Sequence, residues 1–449
     1  MKKIIPLSLL AAFFFLAAFS QQKLAIPAKI DGHPAWIMQG NIYEVNVRQY
    51  TKEGTFNAFA KHLVRLKQMG VQTLWFMPIN PISKVDRKGT LGSYYAVSDY
   101  TGINPEYGTI TDWKNLVKTI HQKGMKVIID WVPNHTGADH HWLKEQPDFF
   151  VKDANGKAAM AVDWADTRQL NYKNPVMEDS MINCMKYWLI KTGIDGFRCD
   201  VAWNVPGTFW SKCISQLKKV NKALFMLAEG DKPYLIRSGF DAVYPWDMFH
   251  MMIKVAAGER PAFALDSVRN VTDTAFVKNA IQLYFTSNHD ENSWNKSDYA
   301  TFPEAVHAPF AVFTQTMGKT LPLIYSGQEE PLLRPLEFFE KDPIVFKEFK
   351  RAKFYKTLLA LRKRNIAMSP DASFRKVVLG DEKALYAYVR EKDGKKVFVI
   401  LNLSATEQTI SVKDKTLQGN PYNVFMGTKE PVSSKNWQIE PWGYVVYEY

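Results

Sequence analysis

The run Gly193-Ile-Asp-Gly-Phe-Arg-Cys-Asp200 is a short apolar segment that ends on a carboxylate, and its pattern recurs along the chain. Ala223-Leu-Phe-Met-Leu-Ala-Glu229 and Leu283-Tyr-Phe-Thr-Ser-Asn-His-Asp290 share the form, as does Met125-Lys-Val-Ile-Ile-Asp-Trp-Val-Pro-Asn-His135. Each reads as a buried strand that turns polar at its C-terminal end. The last is preceded by Thr111 to Gln122, where Trp113, Leu116, Val117 and Ile120 fall at helical spacing. Repeated helix-then-strand units argue for a parallel sheet. Polar residues gathered at the C-terminal ends of such strands predict a (β/α)8 TIM barrel, because the loops at that end form the site.

Working outward, a first strand is expected over Asn41 to Tyr50. A helix striped with Phe56, Phe59, Leu63 and Leu66 follows, and then a second strand from Thr73 to Ile79. Residues 136–174, after strand 3, are too long for an ordinary connection and read as a small loop-rich excursion. Later strands are expected at Ala223 to Glu229, near Asp241 to Tyr244, at Ile281 to Ser287 and at Leu321 to Ser326, which completes eight. A helix from Val345 to Lys363 leads out of the barrel, assigned to 21–370. Over 371–449 the pattern changes to alternation and hairpins, with a turn at Asp393-Gly394, and predicts an antiparallel β-sandwich domain of structural role.

The N-terminus, Met-Lys-Lys followed by an apolar stretch to Phe19, reads as a signal peptide over 1–20, cleaved near Ala18-Phe19-Ser20. The expected product is exported, to the periplasm or the medium, with no membrane anchor in the mature chain. Three scattered cysteines, Cys184, Cys199 and Cys213, do not make a disulfide framework and are expected as free, buried thiols. The formal charge of +12 is spread without an Arg/Lys-rich block, so it reads as a solvated surface and not a nucleic-acid footprint.

Strand side chains alternate, so Arg198 and Asp200 share one face. A guanidinium there should hold the Asp200 carboxylate ionised, as a nucleophile requires. Glu229 follows Met226, Leu227 and Ala228 with no basic neighbour in its strand. Desolvation should therefore raise its pKa and suit it to donate a proton. Two carboxylates in opposite environments are the equipment for glycoside hydrolysis. Asp290 and His135 are placed to grip sugar hydroxyls.

These residues resemble the α-amylase superfamily, glycoside hydrolase family 13. Asp130-Trp-Val-Pro-Asn134-His135, Gly196-Phe-Arg198-Cys-Asp200, Glu229 and Asn288-His289-Asp290 look like its four signature regions, in order. The resemblance implies Asp200 as nucleophile, Glu229 as acid/base and Asp290 as transition-state stabiliser. It implies Arg198, His135 and His289 as substrate contacts, Tyr95 as the ring stacked under the sugar, and Asp130 as support from strand 3. It also implies an α-glucan or maltooligosaccharide as partner, a retaining cleavage of α-1,4 bonds, and no redox or nucleotide cofactor.

Two departures stand out. Where many α-amylases carry a Lys-His pair after the nucleophile, this chain reads Val201-Ala-Trp203-Asn204, and Gln169-Leu170-Asn171 resembles the family's short fifth region but matches neither the oligo-1,6-glucosidase nor the neopullulanase form. Trp203 and Trp246 follow strands 4 and 6 and are candidate sugar platforms. A calcium ion at Asn134, with oxygens from Asp163 or Asp166, is chemically reasonable because hard cations prefer such ligands. Zinc at His135, Asp139, His140 and His141 is disfavoured by the adjacency of the histidines. Exo-acting α-glucosidase, α-1,6-cleaving and transglycosylating activities stay open, as does a non-catalytic glucan-binding protein on the same barrel. Oligomeric state is not readable.

Overall fold

The computed structural model describes residues 28–449, so the expected leader lies outside the described residues. Eight parallel strands close into a barrel in simple sequential order. They are β1 (Ile42–Val45), β2 (Thr73–Phe76), β3 (Lys126–Trp131), β4 (Gly196–Cys199), β5 (Phe225–Ala228), β6 (Ala242–Val243), β7 (Ile281–Tyr284) and β8 (Thr320–Tyr325). Closure comes from β8 pairing with β1, Leu323 opposite Ile42 and Tyr325 opposite Glu44. β1 is shorter than its sequence suggests. Its strand ends at Val45, and Val47–Tyr50 turns into one helical turn in which even Arg48 and Gln49 are buried.

The helices between strands form where local signals agree. Ile110–Gln122 opens on a capping box between Thr109 and Asp112 and buries Trp113, Leu116, Val117 and Ile120. Pro175–Thr192 starts with proline after Asn174, whose side chain accepts from Val176 and Met177, and ends at left-handed Gly193. Gly196 opens β4 at the tightest approach in the barrel. A Cβ there would stand 2.1 Å from the Phe225 carbonyl oxygen on β5, so no other residue fits without displacing the pairing. Between β3 and β4 the expected excursion is tied by a short antiparallel ladder, His135–Gly137 with Thr167–Gln169.

Ala352–Arg364 leads out of the barrel, starting seven residues later than its periodicity suggested. The C-terminal domain is an antiparallel six-stranded sheet with a two-stranded ladder against it. The sheet comprises β9 (Ser373–Val377), β10 (Leu385–Lys392), β11 (Lys395–Asn402), β13 (Tyr422–Asn423), β14 (Thr428–Lys429) and β16 (Tyr444–Glu448); β12 (Gln408–Ile410) pairs with β15 (Trp437–Ile439). Alternation gives the sheet two apolar faces. Tyr386, Tyr388, Val397, Val399 and Leu401 join the barrel's own core, while Leu385, Ala387, Val389, Phe398 and Ile400 pack with Ile410 and Ile439 of the ladder. Arg390 bolts the junction: fully buried, it donates to the carbonyls of Thr316, Met317, Ser369 and Ser373.

Cys199 and Cys213 are buried free thiols, and Cys184 is free but partly exposed. No helix among the described residues is long and apolar enough to cross a membrane.

Candidate active site

Strand ends and loops enclose a cavity of about 390 Å³ at the C-terminal mouth of the barrel. Asp200, Glu229 and Asp290 all line it, as do Tyr95 and His135. Three strands thus deliver three acids to one space, as their positions in the sequence suggested.

Beneath this lining lies Arg198, fully buried. Its Nη1 donates to Asp130 Oδ1 at 2.9 Å and to Asp200 Oδ1 at 2.9 Å, and its Nη2 stands 3.2 Å from Glu229 Oε2. Its Nε donates to the Tyr244 hydroxyl at 3.3 Å, and its cation lies over the Trp75 ring. One guanidinium therefore touches three carboxylates, and a planar fork with five donors suits that task.

The electrostatics differ from the expectation for the two acids taken separately. Glu229 does have a basic neighbour, Arg198, which reaches it from the next strand. Its Oε2 also accepts from the Val201 backbone N–H at 2.6 Å, leaving Oε1 without a donor among the described residues. For Asp200, burial first and the Glu229 carboxylate second push the carboxyl well above its ordinary range, and Arg198 opposes them. The Glu229 carboxylate thus opposes ionisation of Asp200, and Arg198, in contact with both acids, favours it. Val201, which supplies the N–H, has φ 44°, a left-handed conformation unfavourable for a β-branched residue. This strain falls on the residue that follows one acid and donates its N–H to the other.

A second chain of contacts runs through His289. Its Nδ1 lies 2.5 Å from Glu44 Oε1, its Nε2 2.6 Å from the Tyr95 hydroxyl and 3.3 Å from Asp290 Oδ2. Burial alone would lower its pKa, but Asp290 and Glu44 outweigh burial and push it up to about 9. His289 is therefore a cation at neutral pH, both ring nitrogens donate, and the Tyr95 hydroxyl in turn donates a hydrogen bond to Asp130 Oδ2 at 3.1 Å. The Tyr95 and His289 rings stack at 5.4 Å. Burial raises the Asp130 carboxyl to about 6 against the pull of Arg198 and His289.

His135 is the neutral counterpart, since burial lowers its pKa to about 4. The Asn134 amide donates to its Nδ1 at 3.1 Å, which places the imidazole proton on Nε2. That nitrogen is buried without a partner among the described residues and belongs to a cavity-lining side chain.

Asn134 does not fit the expected calcium. Its Oδ1, the atom a cation would need, accepts from Asn204 Nδ2 at 2.9 Å and from Gln169 Nε2 at 3.2 Å. The Gln169 amide nitrogen also faces the Asn134 and Leu170 carbonyls, so its orientation is settled by three acceptors. Amide hydrogens thus occupy the position that a positive charge would take beside this oxygen. The two departures from the family pattern, Gln169 and Asn204, are the two donors.

Trp203 is half-exposed and stands outside the cavity lining, packed beside Gly230 at the rim. Trp246 packs against Tyr244, Phe249 and Phe285, a core role and not that of a platform. The sequence reading missed Glu44, although a lone acid within the apolar run Ile42–Val45 was a signal of a buried partner. It also missed Phe338, Phe339 and Trp294, which wall the cavity from loops after β8 and β7. Lys88 and Asp166, which also line it, were not read as substrate contacts.

Comparison with known proteins agrees with this geometry. The model "Alpha amylase, catalytic domain" matches residues 31–166 and 153–378, and "Alpha-amylase SusG C-terminal domain" matches 385–445. The chain is 24% identical to alpha-amylase MalA of Haloarcula japonica, over 84% of its own length and 57% of that protein's. It is 24% identical to alpha-amylase 3 of Dictyoglomus thermophilum, over 85% of its own length and 88% of that protein's. An alpha-amylase structure from Lactobacillus plantarum superposes with TM-score 0.84 at 27% identity, covering 92% of this chain and 99% of that one. A carboxylate set at the strand ends of a closed barrel, with a matched catalytic model over most of the chain, leads to one statement: this protein belongs to the alpha-amylase family.

Proposed function

We propose that this protein is a retaining glycoside hydrolase that cleaves α-1,4-glucosidic bonds in maltooligosaccharides or starch-like glucans. The observation that carries the reading is the bridge of Arg198 between Asp200 and Glu229, which holds two acids together at one cavity. In the first step Glu229 gives its proton to the glycosidic oxygen while Asp200 Oδ2, the oxygen that Arg198 leaves free, bonds to the anomeric carbon. The carbon–oxygen bond breaks and the leaving sugar departs as an alcohol. In the second, Glu229 takes a proton from water, the water oxygen bonds to the anomeric carbon, and Asp200 is released. Positive charge on the flattened ring is met by Asp290. His135 donates from Nε2 to a sugar oxygen, and Tyr95 offers its ring.

Export, read from residues 1–20, would bring such an enzyme to polymeric substrate outside the cell. A non-catalytic glucan-binding role is disfavoured because all three acids line the cavity. The test is Asp200→Asn against the parent on maltoheptaose. Reducing-sugar release should fall on the order of 10³-fold or more. Release indistinguishable from the parent's would refute the mechanism, and product profiles on maltoheptaose, starch and pullulan would assign linkage and endo or exo action.

A further inference from the structure

The cavity is also lined by side chains that the two-step chemistry does not use. The excursion contributes Trp164 and Asp166, and the loop after β2 contributes Lys88. Trp164 packs edge-on against His135 at 5.2 Å, which ties this wall to the reaction centre. A tight turn, with Thr167 N–H on the Trp164 carbonyl at 3.0 Å, aims both excursion residues inward.

Asp166 is only 3% exposed, yet its hydrogen-bonding capacity is almost entirely unused. Oδ2 is buried with no partner among the described residues. Oδ1 has only Lys88 Nζ, at 3.6 Å, beyond hydrogen-bond length. The nearby Arg168 does not serve it, since that guanidinium is engaged by Asp86 and the Ala165 and Thr167 carbonyls. A buried carboxylate normally recovers its lost hydration through several donors. One that lacks them and lines an open cavity is set up to receive donors from a ligand. The ammonium beside it supplies the complementary donor, half-exposed and free to swing. A carboxylate and an ammonium held side by side match a vicinal diol, whose hydroxyls give one hydrogen and take another, and Trp164 adds an apolar ring.

We propose that Asp166, with Lys88 as its counter-charge, is a specificity-determining contact for the glucosyl unit next to the one being cleaved, accepting hydroxyl hydrogen bonds on its carboxylate. This rests on the glucan reading given above. It makes recognition of a second sugar ring the work of the excursion and places it apart from the acids that break the bond.

The experiment compares Asp166→Asn and Lys88→Met with the parent on two substrates. Maltopentaose fills neighbouring sugar positions, whereas α-glucosyl fluoride fills the cleavage position alone. The readout is the ratio of kcat/KM for the first to that for the second. Losing a charge-assisted hydrogen bond should lower this ratio about 10- to 100-fold in Asp166→Asn. Lys88→Met, at a side chain 39% exposed and safe for folding, should lower it in the same direction. An unchanged ratio in both variants, whether both substrates fall together or neither does, overturns the proposal while leaving the glucan reading intact. A parent that turns over glucosyl fluoride but no α-glucan overturns the glucan reading and this inference with it.

Discussion

Arg198 and Asp200 stand two residues apart on one barrel strand, and Nη1 of the first donates to Oδ1 of the second at 2.9 Å. The same nitrogen holds Asp130, while Nη2 faces Glu229, so the geometry depends on a rigid fork and not on charge alone. Arg198→Lys keeps the charge but cannot span these partners. Its kcat/KM on maltoheptaose should fall about 10²- to 10³-fold with the circular dichroism spectrum preserved. Activity within tenfold of the parent would show that a point charge suffices.

The pH profile should reflect His289. Its folded pKa, raised from 6.5 to about 9, means that the ionic contacts with Glu44 and Asp290 are fully present below 6.5 and lost as pH rises through about 9. An alkaline limb near pH 9 in kcat/KM is expected, and a profile flat to pH 10 would dismiss it.

Glu44→Gln tests the origin of that limb. The amide still accepts a hydrogen bond but withdraws the buried negative charge that favours the imidazolium. The limb should move down by about one to two pH units. An unmoved limb would assign it to another group.

Chelation should change little. Since amide donors from Asn204 and Gln169 saturate Asn134, treatment with EDTA is expected to leave both the activity and the midpoint of thermal unfolding as they were. Asn204→Leu should instead lower the midpoint, because it strips a donor from a buried carbonyl oxygen. A large fall on chelation alone would mean that a cation holds this junction.

The domain junction offers a stability test away from the cavity. Arg390→Met leaves three buried carbonyls and one part-buried carbonyl without their donor, at a cost of about 3 kcal/mol or more. Thermal inactivation should accelerate markedly while kcat on maltoheptaose at low temperature stays near the parent's.

Much of this was legible because strands and acids share short stretches of chain. The runs that end at Asp130, Asp200, Glu229 and Asp290 carry their own strand signal, and period two alone put Arg198 beside Asp200. What escaped reading depends on contacts between distant segments. Glu44 meets His289 only because the barrel closes, and Arg198 reaches Glu229 across adjacent strands. The Asp200 carboxyl accordingly moves upward where a two-residue view had it moving down. Phe338, Phe339, Lys88 and Asp166 lie on loops with no period to betray which way they face. The end of β1 at Val45 was hidden because Val47 and Tyr50, which are apolar, continue its hydrophobic run into a helical turn.

The seam between β8 and β1 also sets an order of assembly. A growing polypeptide has made Asp200, Glu229 and Asp290 well before Tyr325 emerges, yet Glu44 waits for that final staple to fix its strand. Closure of the barrel ring is thus deferred until Tyr325 has been made, long after the strand that bears Glu44.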